Sequence, residues 1–151
     1  GYNYRMDEIR AAVGREQLKK LATANQHRQK TDRLLRKQLV ALDIPGLAIP
    51  FSHARGNAAH HLFVILLPAG TCRNLFRQKL LEEGIQTSIH YPLLDSFTHT
   101  RGLWDPESIK LPRLMAVTPR LVTLPMGPTM TKEQATHVSN AVGRALTYPP
   151  P

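Results

Sequence analysis

Leu62-Phe63-Val64-Ile65-Leu66-Leu67 is the longest apolar run in the 151 residues, and its surroundings decide the fold. A polar loop precedes it and Pro68 follows it, so it reads as a short strand buried on both faces. It is far short of the ~18 apolar residues that a membrane-crossing helix needs. Downstream, the spacing predicts a helix from Cys72 to Glu83. Thr71 is its N-cap, Leu75, Phe76, Leu80 and Leu81 are its apolar face, and Gly84 is its C-terminal stop. Ile85 to Ile89 reads as a second strand. Residues 91–110 carry Pro92, Gly102 and Pro106 and read as loop. Leu111 to Val117 fits a short helix with Pro112 in its first turn, and Leu121 to Leu124 a third strand closed by Pro125. Thr131 to Leu146 is the clearest helix: Thr131 and Gln134 form a capping box, and Ala135, Val138, Val142 and Ala145 line one face.

Upstream of the strand, Asp7 to Leu42 contains no proline and one glycine, Gly14. Ile9, Val13, Leu21, Ala24, Leu35, Leu39 and Leu42 recur at helical steps. Gln17, Arg28 and Thr31 interrupt that stripe, and Asp7 and Glu8 place anions where a helix N-terminus favours them. Some 33 residues make a helix about 50 Å long. A core built from the remaining residues cannot wrap such a helix, so part of it is expected to lie against another subunit or domain. Pro45, Gly46 and Pro50 end the pattern. The expected fold is α+β: a long N-terminal helix, then a small, mostly antiparallel three-stranded sheet covered by helices. Residues 1–43 form the helix and interface segment, 44–148 a small α+β domain, and 149–151 a tail.

Lys and Arg number 20 against 11 Asp and Glu, a net charge of +9. Residues 1–40 hold ten of the basic residues (Arg5, Arg10, Arg15, Lys19, Lys20, Arg28, Lys30, Arg33, Arg36, Lys37) and four acids (Asp7, Glu8, Glu16, Asp32), so most of the excess sits on the long helix. A basic arm raises a nucleic-acid or non-catalytic interaction role as the alternative. Against nucleic acid, no aromatic residue interleaves the basic ones from Arg5 to Lys37, and no helix-turn-helix or zinc-finger spacing occurs. A solvated helix face explains the charge.

Cys72 is the one cysteine, so no disulfide framework exists, and the first thirty residues are too polar for a signal peptide. A cytoplasmic protein without a membrane partner is expected. Phosphate-binding glycine loops, hydrolase nucleophile elbows and metalloprotease or redox motifs are absent. His53, His90, His99 and His137 lack ligand-spaced partners, and the adjacent His60 and His61 diverge on an extended segment, so no metal is expected. Cys72 stands at a helix start, where thiols can be activated, but fits a small buried hydrophobe better. No catalytic set emerges from residue types alone.

Gly1-Tyr2-Asn3-Tyr4-Arg5-Met6, followed by Glu8-Ile9, Ala11-Ala12 and Gln17-Leu18, is more specific. It resembles the G-x-N-x-R-M segment and following helix of the DegT/DnrJ/EryC1/StrS family of aminotransferases, which use pyridoxal phosphate and act on nucleotide-linked sugars. His61 to Leu67 is similar to that family's H-x-F-V strand, and Arg73, Leu80 and Gly84-Ile85-Gln86-Thr87 to its R…L…G-I-x-T stretch. Ile89-His90-Tyr91-Pro92 resembles its V/I-H-Y-x-P turn, and Leu124-Pro125 with Met130-Thr131 its L-P…M-T element. Each word is weak alone, but together they keep the family's order along nearly the whole chain.

The resemblance implies the C-terminal portion of a fold type I enzyme, the small domain, with a cofactor-holding large domain upstream. Lys19, Lys20, Lys30, Lys37, Lys79, Lys110 and Lys132 do not stand in the family's Schiff-base lysine motif. Amino transfer needs that lysine, so the stretch alone should be inactive and hold no cofactor. The resemblance further implies a homodimer through the long helix, with Asn3 reaching the cofactor phosphate of the other subunit. Arg5, flanked by Tyr2 and Tyr4, would face the nucleotide phosphates, and His90 and Tyr91 would border the substrate pocket. The reaction implied moves an amino group from an amino acid to a nucleotide-linked keto sugar. The residues themselves equally allow Asn3 to cap the turn into the helix and His90 and Tyr91 to serve packing. Leu93-Leu94-Asp95 replaces the P-L-H word of many members, so the contacts of that turn differ here.

Overall fold

The computed structural model describes residues 3–51, 56, 58–94, 97–100 and 111–147. Asp7 starts the long helix α1 (Glu8–Ala41): its carboxylate accepts from the Arg10 backbone N–H at 2.8 Å and from the Arg10 guanidinium at 2.7 Å. Thirty-four residues at 1.5 Å each give a rod of about 51 Å. Its buried residues are Thr31, Asp32, Leu35 and Leu39, all in the last third. Ile9, at 79% accessible, and Met6, Val13, Leu18 and Leu21 are exposed. The interrupted stripe therefore acts as a core-facing face only near its C-terminal end. Local pairs satisfy several basic side chains: Lys19 with Glu16 at 2.6 Å and Arg28 with Asn25 at 2.9 Å.

The sheet has two strands, β1 (Phe63–Leu66) and β2 (Leu121–Leu124), paired antiparallel with Phe63 opposite Leu124 and Leu66 opposite Leu121. The strand expected at Ile85–Ile89, the second of the three, does not form. Only Ser88 pairs, exchanging N–H···O bonds of 3.0 and 2.8 Å with Thr123. The chain turns away at His90 before a second pair can close, so the edge is a single bridge. Ala48 makes a matching bridge to Leu66 on the outer edge of β1. Phe63 and Ile65 are buried whereas Val64 and Leu66 are half-buried, so β1 is fully covered on one face only.

After β1 comes α2 (Arg73–Glu82), which buries Phe76 and Leu80. Its N-cap is Cys72, not Thr71, whose N–H instead closes a turn to Pro68 O at 3.2 Å. Cys72 is exposed, contrary to its reading as a buried hydrophobe. Gly84, at φ +77°, ends the helix in the left-handed conformation that favours glycine. Next come α3 (Pro112–Val117), with its proline in the first turn, and a 3-10 turn over Thr118–Arg120. Last is α4 (Lys132–Thr147). The capping box forms as expected: Gln134 N–H donates to Thr131 Oγ1 at 3.2 Å, and Thr131 N–H to Gln134 Oε1 at 2.9 Å. The tail expected at 149–151 and the end of the small domain at 148 lie outside the described residues.

Helix α4 is the hub, packed on both α1 and α2. Leu35 and Leu39 of α1, Phe63, Ile65 and Leu67, Phe76 and Leu80 of α2, Ile85, Val122 and Leu124, and Ala135, Val138, Ala141 and Val142 of α4 form one apolar core. Within the α1–α4 contact, Gln38 donates to Thr136 Oγ1 and accepts from the buried Ser139 hydroxyl, both at 2.9 Å. These bonds pair the Gln38 carboxamide with both hydroxyls it meets on α4. Arg120 ties three segments by donating to Leu67 O at 2.6 Å and Gly46 O at 3.2 Å. Among the described residues, no helix is long and apolar enough to cross a membrane.

Candidate functional site

Asn3 and Arg5 sit together on the extended lead into α1, both exposed. The Arg5 backbone N–H donates to Asn3 Oδ1 at 3.3 Å. That bond orients the carboxamide and leaves its NH2 group, with two donor hydrogens, without a partner among the described residues. Twenty-four residues of helix, about 36 Å, separate Asp7 from Thr31, the first buried residue of α1. The free end of a rigid rod thus carries this pair far from the packed core.

His90 and Tyr91 sit where the chain leaves the Ser88–Thr123 bridge. His90 is half-buried and Tyr91 is 68% exposed. Their rings meet edge to face, with centroids 5.0 Å apart and planes at 88°. His90 Nδ1 lies 3.1 Å from Oγ1 of Thr123, a residue of β2 that is 4% exposed. Thr123 drew no notice in the sequence because a lone threonine in an apolar strand carries no local signal. Its place emerges only when β2 pairs with Ser88. The sequence-selected residues therefore form two separate pairs: no hydrogen bond or ion pair joins Asn3 or Arg5 to His90 or Tyr91 among the described residues.

A groove of about 610 Å³ opens beside the second pair, between the 84–88 segment, the 125–130 loop and the start of α4. Gln86, Ser88, Thr129 and His137 give it polar walls, and Met126 and Met130 apolar ones. None of Asn3, Arg5, His90 and Tyr91 lines it. His137 is tied to the end of α2, its Nε2 lying 3.0 Å from Glu83 O. The Arg144 guanidinium hydrogen-bonds the Glu83 carboxylate and, with a smaller attraction from His137, holds that carboxyl below its ordinary 4.5. Among the described residues, no three of His, Cys, Asp and Glu converge on a point that could hold a metal ion.

A second cluster fixes the chain before β1. Buried Asp32 accepts from Arg36 Nε at 2.9 Å and faces His60 Nδ1 at 3.3 Å. Arg36 also donates to Pro50 O at 3.1 Å and lies over the Phe63 ring, 5.5 Å from its centre. This cluster seats the chain before β1 on α1.

Comparison with known proteins places the chain among relatives of one fold. The erythromycin biosynthesis sensory transduction protein EryC1 of Saccharopolyspora erythraea is 34% identical over 143 residues, 91% of this chain. The dTDP-3-amino-3,6-dideoxy-alpha-D-galactopyranose transaminase of Aneurinibacillus thermoaerophilus is 31% identical over 149 residues, 95% of this chain. The chain spans only 36% and 38% of the length of those two relatives. The crystal structure of DesV from S. venezuelae in complex with a ketimine intermediate superposes with a TM-score of 0.82 at 31% identity, over 95% of this chain and 38% of DesV. PseC of Helicobacter pylori, an aminotransferase involved in pseudoaminic acid biosynthesis, shares the fold with a TM-score of 0.85 at 22% identity, over 97% of this chain and 39% of PseC. The sequence pattern of one family matches residues 1–143. The chain belongs to the DegT/DnrJ/EryC1/StrS aminotransferase family.

Proposed function

We propose that these residues form the small domain and connecting helix of a pyridoxal-phosphate-dependent aminotransferase that moves an amino group from an amino acid to a nucleotide-linked keto sugar. The observation that carries this reading is α1: its last third is seated in the core, and its first two thirds present apolar side chains to solvent with Asn3 and Arg5 at the tip. That geometry suits a helix covered by a cofactor domain and by a second subunit of a homodimer. The sugar transaminase among the relatives supports the nucleotide-linked substrate.

Pyridoxal phosphate, when bound, supplies the carbonyl that takes up the amino group and the electron sink for the proton shift. The residues present fit its phosphate. The Asn3 NH2 offers two free donors, already oriented by the Arg5 N–H, and the Arg5 side chain adds positive charge beside it. Asn3 would hold the cofactor phosphate of the partner subunit. Arg5 would face the nucleotide phosphates, and His90 with Tyr91 would border the sugar. None of the lysines occupies the family's Schiff-base position, so the 151 residues alone carry out no amino transfer.

The test joins this chain to its cofactor domain and measures retained pyridoxal phosphate by absorbance. Asn3→Ala is expected to weaken retention about tenfold, as loss of a charge-assisted hydrogen bond does. Unchanged affinity removes the role given to Asn3. The chain alone, mixed with pyridoxal phosphate and borohydride, is expected to yield no reduced adduct at a unique lysine; such an adduct would overturn the inactivity of the chain alone.

A further inference from the structure

We infer that Thr123 is a positioning residue that holds the neutral His90 imidazole with its proton on Nε2, so that His90 presents a hydrogen-bond donor to whatever occupies the space beyond it. Thr123 sits in the middle of β2 and its backbone is locked from both sides, by Val64 of β1 and by the bridge to Ser88. Its Cα and Cβ are therefore held in place behind His90. The Thr123 hydroxyl is buried, and His90 Nδ1 at 3.1 Å is its partner among the described residues.

A hydroxyl has one hydrogen to place and can also accept. If Nδ1–H donated to Oγ1, the threonine hydrogen would be left in a buried setting without an acceptor, which native structures avoid. Donation from Thr123 to Nδ1 satisfies both groups. Nδ1 is then the acceptor, and the ring proton stands on Nε2, on the far side of the imidazole from β2. Tyr91 packs edge to face on the same ring and limits its rotation. An Nε2–H donor selects an acceptor oxygen: a sugar hydroxyl or carbonyl oxygen, or a phosphate oxygen of the linked nucleotide. This last step rests on the proposed function; the tautomer does not.

The experiment is nitrogen-15 correlation spectroscopy of the His90 ring in the 151-residue chain, at a pH where the ring is neutral. The expected spectrum shows Nε2 protonated and Nδ1 bare. Thr123→Ser, which keeps the hydroxyl, preserves that pattern, and Thr123→Val gives a mixture of tautomers. A wild-type ring protonated on Nδ1, or a Thr123→Val ring identical to wild type, overturns the inference. In the enzyme completed by its cofactor domain, Thr123→Val is expected to raise KM for a dTDP-linked keto sugar about 3- to 10-fold with kcat nearly unchanged, and Thr123→Ser to restore it. A shifted tautomer with unchanged KM leaves the role of Thr123 standing and counts against the substrate contact assigned to His90.

Discussion

Glu83 and Arg144 show how one charged pair fastens two elements at their ends. Glu83 closes α2 and Arg144 lies in the last turn of α4, so their contact clamps the open side of the α2–α4 pair. The hydrogen bond from Arg144 lowers the Glu83 carboxyl below 4.5. A carboxyl whose folded value lies below its unfolded one adds stability above the unfolded value and loses it as pH falls through the folded value. Arg144→Ala is therefore expected to raise the Glu83 carboxyl towards the ordinary carboxylate range in an NMR titration. The stability gap between wild type and variant should exist at neutral pH and close in acid. A gap that persists below the titration would show that Arg144 acts through packing. Asp32 is the buried counterpart. Arg36→Ala leaves its carboxylate with His60 as its remaining partner and removes the bond to Pro50 O, at an expected cost of about 2–3 kcal/mol in urea unfolding. A loss within error of zero would mean that water reaches Asp32.

At the scale of elements, legibility follows the range of the interactions. Helix α4 was readable because its signals are local: Thr131 and Gln134 stand three residues apart and bond each other, and Ala135, Val138 and Val142 share one face by spacing alone. Glu133, in its first turn, is held below 4.5 by its own backbone N–H and the Thr131 hydroxyl, as a helix N-terminus favours. Thr131→Ala should cost about 1 kcal/mol in thermal or urea unfolding. A cost near zero would mean that α4 is held by packing alone. The expected strand at Ile85–Ile89 was misread because β-pairing depends on a partner distant in sequence: the segment has strand composition, yet only Ser88 meets Thr123. The N-cap of α2 was misplaced by one residue because Thr71 is already engaged in the turn from Pro68. For the site, the sequence words pointed to Asn3, Arg5, His90 and Tyr91. They could not show that no hydrogen bond or ion pair joins the two pairs among the described residues, nor that Thr123 stands behind His90.

At the scale of the molecule, the uneven burial of α1 is the dominant fact. An isolated helical segment of some 20 residues in water is only marginally stable without packing or a partner. In the chain alone, amides of residues 8–27 are expected to exchange hydrogen many-fold faster than those of 31–41, and to slow once a cofactor domain or second subunit covers them. Uniform protection along α1 in a monomer would refute the idea that its free face awaits a cover. Relatives nearly three times as long as this stretch are consistent with such a cover.

The seat of α1 on α4 also works as a fulcrum. Gly143 lies where α4 meets the end of α1, and a methyl group there would come within 3.2 Å of the Leu42 side chain. Tilting a stiff helix by 5° about that anchor would sweep its N-terminal tip, about 50 Å along the rod, through about 4–5 Å. A hydrogen bond tolerates only a few tenths of an ångström, so core substitutions near Leu35, Leu39 and Gly143 should disturb the phosphate contact proposed for Asn3, which none of them touches. The molecule is a lever whose precision at the tip is set by packing at its hinge.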